Sequence, residues 1–181
     1  MHRTPLLDVI DQYHQHYPGE CLCIEQFRQF VTANTTCFER SCRRGHITGS
    51  AWLVNRAGTH TFLTHHRKLH RWLQLGGHAD GQTDILDVAL REACEESGIA
   101  EVVPVSTAIF DLDIHRIPAR GDEPAHEHYD VRFAVQTVTT DHYIVSDESH
   151  ALCWVDMACL SDMTQESAML RMQQKWQNRS A

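Results

Sequence analysis

Residues 84–97 read as a helix whose two faces need opposite surroundings, and this constrains the fold more than any other stretch of the chain. Asp84 is a strong N-cap residue, and Asp87 adds negative charge to the first turn, where the helix dipole favours it. Gly98 stands where a C′ residue takes the left-handed conformation, and Ile99 supplies the apolar contact that follows such a stop. Leu86, Leu90, Ala93 and Cys94 make one face apolar, so the helix must lie on a core. On the other side Glu92, Glu95 and Glu96 fall at i, i+3 and i+4 and meet. Like charges at that spacing weaken an isolated helix by about 0.2–0.5 kcal/mol per pair. A hard divalent cation among them reverses the sign, since carboxylates are the oxygen ligands that Mg²⁺ or Mn²⁺ prefers. The alternative is a solvated acidic face. Arg91, off that face, has the length to anchor a neighbouring carboxylate or loop carbonyl.

The remainder of the chain supplies such a core. Its 181 residues, 42% hydrophobic and 22% charged, suit one globular domain spanning residues 1–181. A formal net charge of -8 argues against general nucleic-acid binding, which needs a broad basic surface. The 7 cysteines contain no CxxC pair and fit reduced thiols better than a disulfide framework or zinc knuckle. There is no signal-peptide h-region and no apolar run long enough to span a membrane. The expectation is a cytoplasmic protein acting on a small molecule.

Thr4-Pro5 predicts a helix start, with Leu6, Ile10, Tyr13 and Tyr17 at helical spacing and Pro18-Gly19 as the stop. A second helix is expected over 20–32. These N-terminal helices, within residues 1–40, pack on the core or form a lid or homodimer contact. Strands follow at 46–55 and 59–64, joined as a hairpin by Arg56-Ala57-Gly58. Further extended segments are expected at 72–75, 102–114, 126–138 and 151–155. A closing helix over 162–178 carries Met169, Met172 and Trp176 on one stripe. Without regular βαβ alternation, this order predicts a mixed sheet between helices.

The stretch 77–99 resembles the Nudix box, G-x5-E-x7-R-E-U-x-E-E-x-G-U with U aliphatic. Gly77, Arg91-Glu92, Glu95-Glu96, Gly98 and Ile99 fall at the required offsets. Two positions depart: Thr83 stands at the motif's first glutamate, and Ala93 is a weak aliphatic. The resemblance implies a Nudix-like α/β/α sandwich with extra N-terminal helices, and hydrolysis of a diphosphate linkage. It also implies Glu92, Glu95, Glu96 and the Gly77 carbonyl as ligands of Mg²⁺ or Mn²⁺, with Arg91 orienting Glu92 and the loop. The substrate would be a nucleoside diphosphate derivative or another small organic diphosphate. The proton acceptor would be a box glutamate or a carboxylate in a later loop, with Glu148 the first candidate and Glu127 the second.

A second set of ligands is suggested by His78, His126, His128 and Asp130. The last three share one strand face, opposite Tyr129, Val131, Phe133 and Val135. Imidazole suits Zn, Mn or Fe, although a chain with 14 histidines places some together without a metal. The arrangement is similar to that of isopentenyl-diphosphate isomerase, whose Gly-His-Pro histidine joins later acidic residues at a metal. Gly76, where that enzyme would carry its cysteine, argues against an isomerase. The run 65–71 is basic, and Arg67, Lys68 and Arg71 are candidates for a diphosphate clamp, against a solvated hairpin loop. The rival readings are a ligand-sensing module without turnover and an isomerase-like enzyme built on the histidines.

Overall fold

The structure is a computed structural model that describes residues 2–66, 70–121, 124–144 and 149–179. Its helices are α1 (Thr4–His16), α2 (Cys21–Ala33), α3 (Ile85–Ser97), α4 (Leu160–Met163) and α5 (Ser167–Arg179). Its strands are β1 (Gly45–Val54), β2 (His60–His66), β3 (Arg71–Leu73), β4 (Leu75–His78), β5 (Val102–Pro104), β6 (Asp111–Ile117), β7 (His126–Thr137) and β8 (Ser149–Asp156).

All eight strands join one mixed sheet, centred on the parallel pairing of β1 with β7 from Gly45↔Glu127 to Val54↔Gln136. β5 and β6 add antiparallel to β7, and β2 and β4 add antiparallel to β1. β3 and β8 then flank β2. Every residue of β1 is buried, as expected of a central strand covered on both sides.

Alternation along β1 and β7 sorts the core into two layers. Ile47, Ala51, Leu53, Val131, Phe133 and Val135 pack with α1, α2 and α3. Trp52, Val54 and Ala134 face the other way, onto Met169 and Met172 of α5 with Trp176 beside them. The expected α/β/α sandwich is therefore observed. The N-terminal helices take the core-packing role: Phe30 stacks on Tyr129 at 3.7 Å between centroids, and Phe27 meets the same ring edge-on at 5.3 Å.

Boundaries differ from the sequence reading where side chains interrupt a pattern. Arg3, not Thr4, holds the N-cap position of α1, so Thr4 and Pro5 lie inside the first turn. The extended stretch expected over 102–114 is two short strands that pair with opposite ends of β7. The closing helix splits into α4 and α5, because Thr164 is extended and its hydroxyl accepts from the Glu166 N–H at 3.3 Å. The strand expected over 72–75 is likewise two, as the chain passes at Gln74 from β2 to β1.

A buried ion network fastens α5 to the sheet, and no periodicity announced it. Arg132, 3% exposed, contacts Asp130 at 2.7 Å, Asp111 at 3.0 Å and Asp113 at 3.2 Å. Arg171 and Lys175 of α5 each reach Asp111 at 2.7 Å, and Lys175 continues to Glu20 at 2.7 Å. Burial alone would raise the Asp111 and Asp113 carboxyls. The Arg171 and Arg132 guanidiniums, with the His115 hydrogen bond at Asp113, outweigh it and hold both well below the usual carboxylate range. Carboxyls depressed in the folded state stabilise it above their unfolded pKa, about 3.9, and that stability is lost as pH falls through the folded values. Thermal melting from pH 6 to 2 should therefore show a steep loss below about pH 4. In Asp113→Asn the melting temperature should be lower near neutrality and the acid loss shallower. An unchanged acid limb would remove Asp113 from this role.

Candidate active site

The candidate site forms where α3 crosses β1 and β4. Gly49 and Gly77 are register partners, and at this crossing a side chain on Gly49 would press on Ile85 and Val88 of the helix, while one on Gly77 would displace the Glu92 carboxylate. A Cβ on Gly49 would lie 2.9 Å from Val88 Cγ1, and one on Gly77 only 2.4 Å from the Glu92 carboxyl carbon. The helix thus rests on strand backbone, and the Glu92 carboxylate is held directly against Gly77.

The ends of α3 are set as its sequence predicts. The Asp84 carboxylate accepts from the Leu86 N–H at 3.1 Å and the Asp87 N–H at 3.3 Å. Gly98 has φ 69°, and its N–H donates to the Cys94 carbonyl at 2.9 Å. Between β4 and α3 the chain turns through Asp80 and Gly81, at φ 49° and 87°. Arg40 braces that turn with a two-point contact to Asp80 at 2.5 and 2.7 Å.

Arg91 performs both anchoring roles open to it. Its Nη2 donates to Glu92 Oε1 at 2.8 Å and to the His78 carbonyl at 3.2 Å, tying the helix to the end of β4. The Glu92 hydrogen bond pushes the guanidinium pKa further up, so Arg91 stays charged at any working pH. The Glu92 side chain is only 15% exposed. Glu95, 64% exposed, stands 3.9 Å from Arg91 Nε. Glu96 is partly covered, with its Oε2 buried. These are hard oxygen donors on one helix face beside a glycine cradle, and the set fits a divalent Mg²⁺-type ion.

The candidate histidines lie elsewhere. Successive residues of β4 project to opposite faces, so Gly77 faces α3 while His78 faces away. There His78 meets His46 of β1 and His128 of β7, with ring centroids 4.8–5.0 Å apart. His126 flanks the group at 4.9 Å from His46, and its Nδ1 contacts the Pro124 carbonyl at 2.9 Å. Asp130 is not gathered with them. Its carboxylate accepts from Thr48 at 2.8 Å, Ser50 at 2.7 Å, Arg132 at 2.7 Å and Gln74 at 3.2 Å. Burial, then the neighbouring imidazoles, lower the His46 pKa to about 4 and that of His128 to about 2, keeping both neutral near pH 7.

Of the remaining candidates, Arg71 pairs with Glu166 at 2.8 Å. Trp72 is half-buried and meets His65 edge-on at 5.1 Å. Glu127 lines a pocket beside α2 with Phe30, Arg44 and Tyr129. Arg67, Lys68 and Glu148 lie outside the described residues. Sequence reasoning missed His46, whose only signal was its place at the start of a strand.

The NUDIX domain family model matches residues 45–173, which covers the whole sheet, the box helix and the first half of α5. The chain belongs to the Nudix family. It is a Nudix-type diphosphate hydrolase, with a pyrophosphohydrolase-type activity in general terms. Solved structures agree with it in fold. An Ap4A hydrolase of C. elegans in a binary complex aligns with TM-score 0.59 and 16% identity, over 74% of this chain and 96% of that one. The MutT protein of Methanosarcina mazei Go1 aligns at 0.59 and 19%, over 77% and 97%. The dihydroneopterin triphosphate pyrophosphohydrolase of E. coli aligns at 0.58 and 14%, over 73% and 95%. A search of the curated proteins returned no match. Among the described residues, no helix is long and apolar enough to cross a membrane.

Gly77→Ala should force Glu92 off the strand. Turnover should fall by at least about tenfold, roughly 1.4 kcal/mol of barrier, while circular dichroism stays near the parent. An unaffected rate would mean that the Gly77–Glu92 contact has no part in the chemistry.

Proposed function

We propose that the chain hydrolyses a diphosphate linkage in a nucleoside diphosphate derivative or another small organic diphosphate. Mg²⁺ or Mn²⁺ would be held by Glu92, Glu95, Glu96 and the Gly77 carbonyl. The observation that carries this reading is the double anchor of Arg91. By holding both Glu92 and the His78 carbonyl, it ties a helix carboxylate to the strand backbone next to Gly77.

The negative charge of a diphosphate repels a nucleophile approaching phosphorus, and the phosphate that departs with the bridging oxygen is a poor leaving group. When bound, the divalent ion supplies charge neutralisation and polarises the phosphoryl oxygen. The residues do the remainder. Glu92, clamped between Arg91 and Gly77, has little rotamer freedom to lose, so its geometry is set before substrate arrives. Water attacks phosphorus, the bond to the bridging oxygen breaks, and a carboxylate takes the water's proton. That acceptor is a box glutamate or Glu148. Thr83 replaces the motif's first glutamate, so one carboxylate of the usual acidic support is missing, while the three on α3 remain.

The direct test is phosphate or pyrophosphate release from nucleotide sugars, dinucleotides, nucleoside triphosphates and prenyl diphosphates, with Mg²⁺, Mn²⁺ or chelator. Metal-dependent release from any member establishes the reaction and its substrate class. Silence across the panel with ligand binding still measurable, or isomerisation of a prenyl diphosphate without release, would overturn the proposed substrate class. Glu96→Gln should lower kcat by at least about a hundredfold, roughly 2.7 kcal/mol, with the fold intact. Near-parental turnover would overturn the ligand assignment. His126→Ala, off the α3 face, should retain most of the Mg²⁺-dependent rate.

A further inference from the structure

The face of the sheet opposite α3 carries a second cluster. We propose that His46, His78 and His128 form a three-imidazole centre for a divalent transition cation of the zinc class.

Three strands converge to build it. His46 and His128 are register neighbours across the parallel β1–β7 pair, and His78 projects beside them from β4, opposite Thr48. One ligand nitrogen from each ring lies within 4.8 Å of the others. Tetrahedral zinc with Zn–N bonds of about 2.0–2.1 Å spaces its nitrogens about 3.3 Å apart. Small ring rotations therefore bring the three nitrogens to bonding distance without moving the strands.

The polar accounting points the same way. His46 is 2% exposed, and neither of its ring nitrogens has a hydrogen-bond partner. His128 Nε2 is also buried and unpartnered. A buried polar atom without a partner destabilises a fold. Two rings in that condition, aimed into one cluster, are what a cation would satisfy. Neutral imidazoles supply borderline-soft nitrogen donors, which favour zinc, cobalt, nickel or copper over magnesium. The Asp130 carboxylate is no ligand here, because four donors occupy it. Two of those donors, Thr48 and Ser50, come from β1, so Asp130 instead holds the strands in register beneath the rings. Three protein nitrogens leave a zinc-class ion one further position, for water or an anionic oxygen.

This centre does not rest on the hydrolase reading, since it shares no side chain with α3. It touches that site only through the backbone: the residue whose ring joins the cluster gives its carbonyl to Arg91. A cation at the histidines therefore stiffens the strand against which Glu92 is held.

The full chain, stripped with chelator, is titrated with Co²⁺ by visible absorption and with Zn²⁺ by calorimetry. In millimolar Mg²⁺, which would fill the α3 carboxylates, one equivalent should bind at the histidines, with a Co²⁺ spectrum of a nitrogen environment that Zn²⁺ abolishes. His46→Ala and His128→Ala should each weaken binding at least about a hundredfold. Glu96→Gln should bind as the parent does, whatever its turnover. Because a buried histidine variant can fail to fold, imidazole ¹⁵N spectra of the unmodified chain provide a second reading. Zn²⁺ should shift the ring nitrogens of His46, His78 and His128 together. The proposal is overturned by ring shifts confined to other histidines, by unchanged affinity in a folded His46→Ala, or by the absence of saturable binding.

Discussion

The parallel pairing of β1 with β7 is the constraint on which the rest of the structure depends. Ten residues of β1 are buried without interruption, so each must suit one of two layers. Residues pointing one way receive α1, α2 and α3, and those pointing the other way receive α5. A one-residue slip would exchange the layers and set Trp52 against the box helix. The same pairing brings His46 beside His128 and Thr48 beside Asp130, although more than eighty positions of chain separate Thr48 from Asp130.

Glycine performs a complementary task. Where α3 crosses the sheet, Gly49 and Gly77 remove the side chains that would hold the helix off, and a carboxylate occupies the space gained. This ties the geometry of Glu92 to strand backbone. Arg91 completes the link by binding the carboxylate and the last carbonyl of β4 together. A carboxylate placed in this way is preorganised by the fold itself.

Charge is buried on the far side of the sheet as well. Arg132 and three aspartates hold each other, and Arg171 and Lys175 extend the network into α5. Such clusters add little net stability over apolar packing, but each member is costly to remove alone. Here the cluster joins α5 to the sheet beside the packing of Met169 and Met172 on Trp52. It also occupies Asp130, which separates that residue from the neighbouring histidines despite their shared strand face.

Much of this was legible in the sequence, for reasons of locality. The caps of α3, the relation of Arg91 to Glu92, the strand identity of residues 126–137 and the sandwich architecture follow from interactions within a few turns or a single strand period. The buried stripe of α3, by contrast, is Ile85, Val88, Ala89 and Ala93, with Leu86, Leu90 and Cys94 of the expected face only half-buried. The sequence alone also placed the chain near the Nudix family, because the box is one contiguous segment. What only the tertiary structure decided involves partners far apart along the chain. These are the His46 contribution to the histidine cluster, the commitment of Asp130 to Thr48 and Ser50, the ion network around Arg132, and the breaks at Gln74 and Thr164. Periodicity reports which face a residue occupies. Only the register between distant strands determines what that residue meets there.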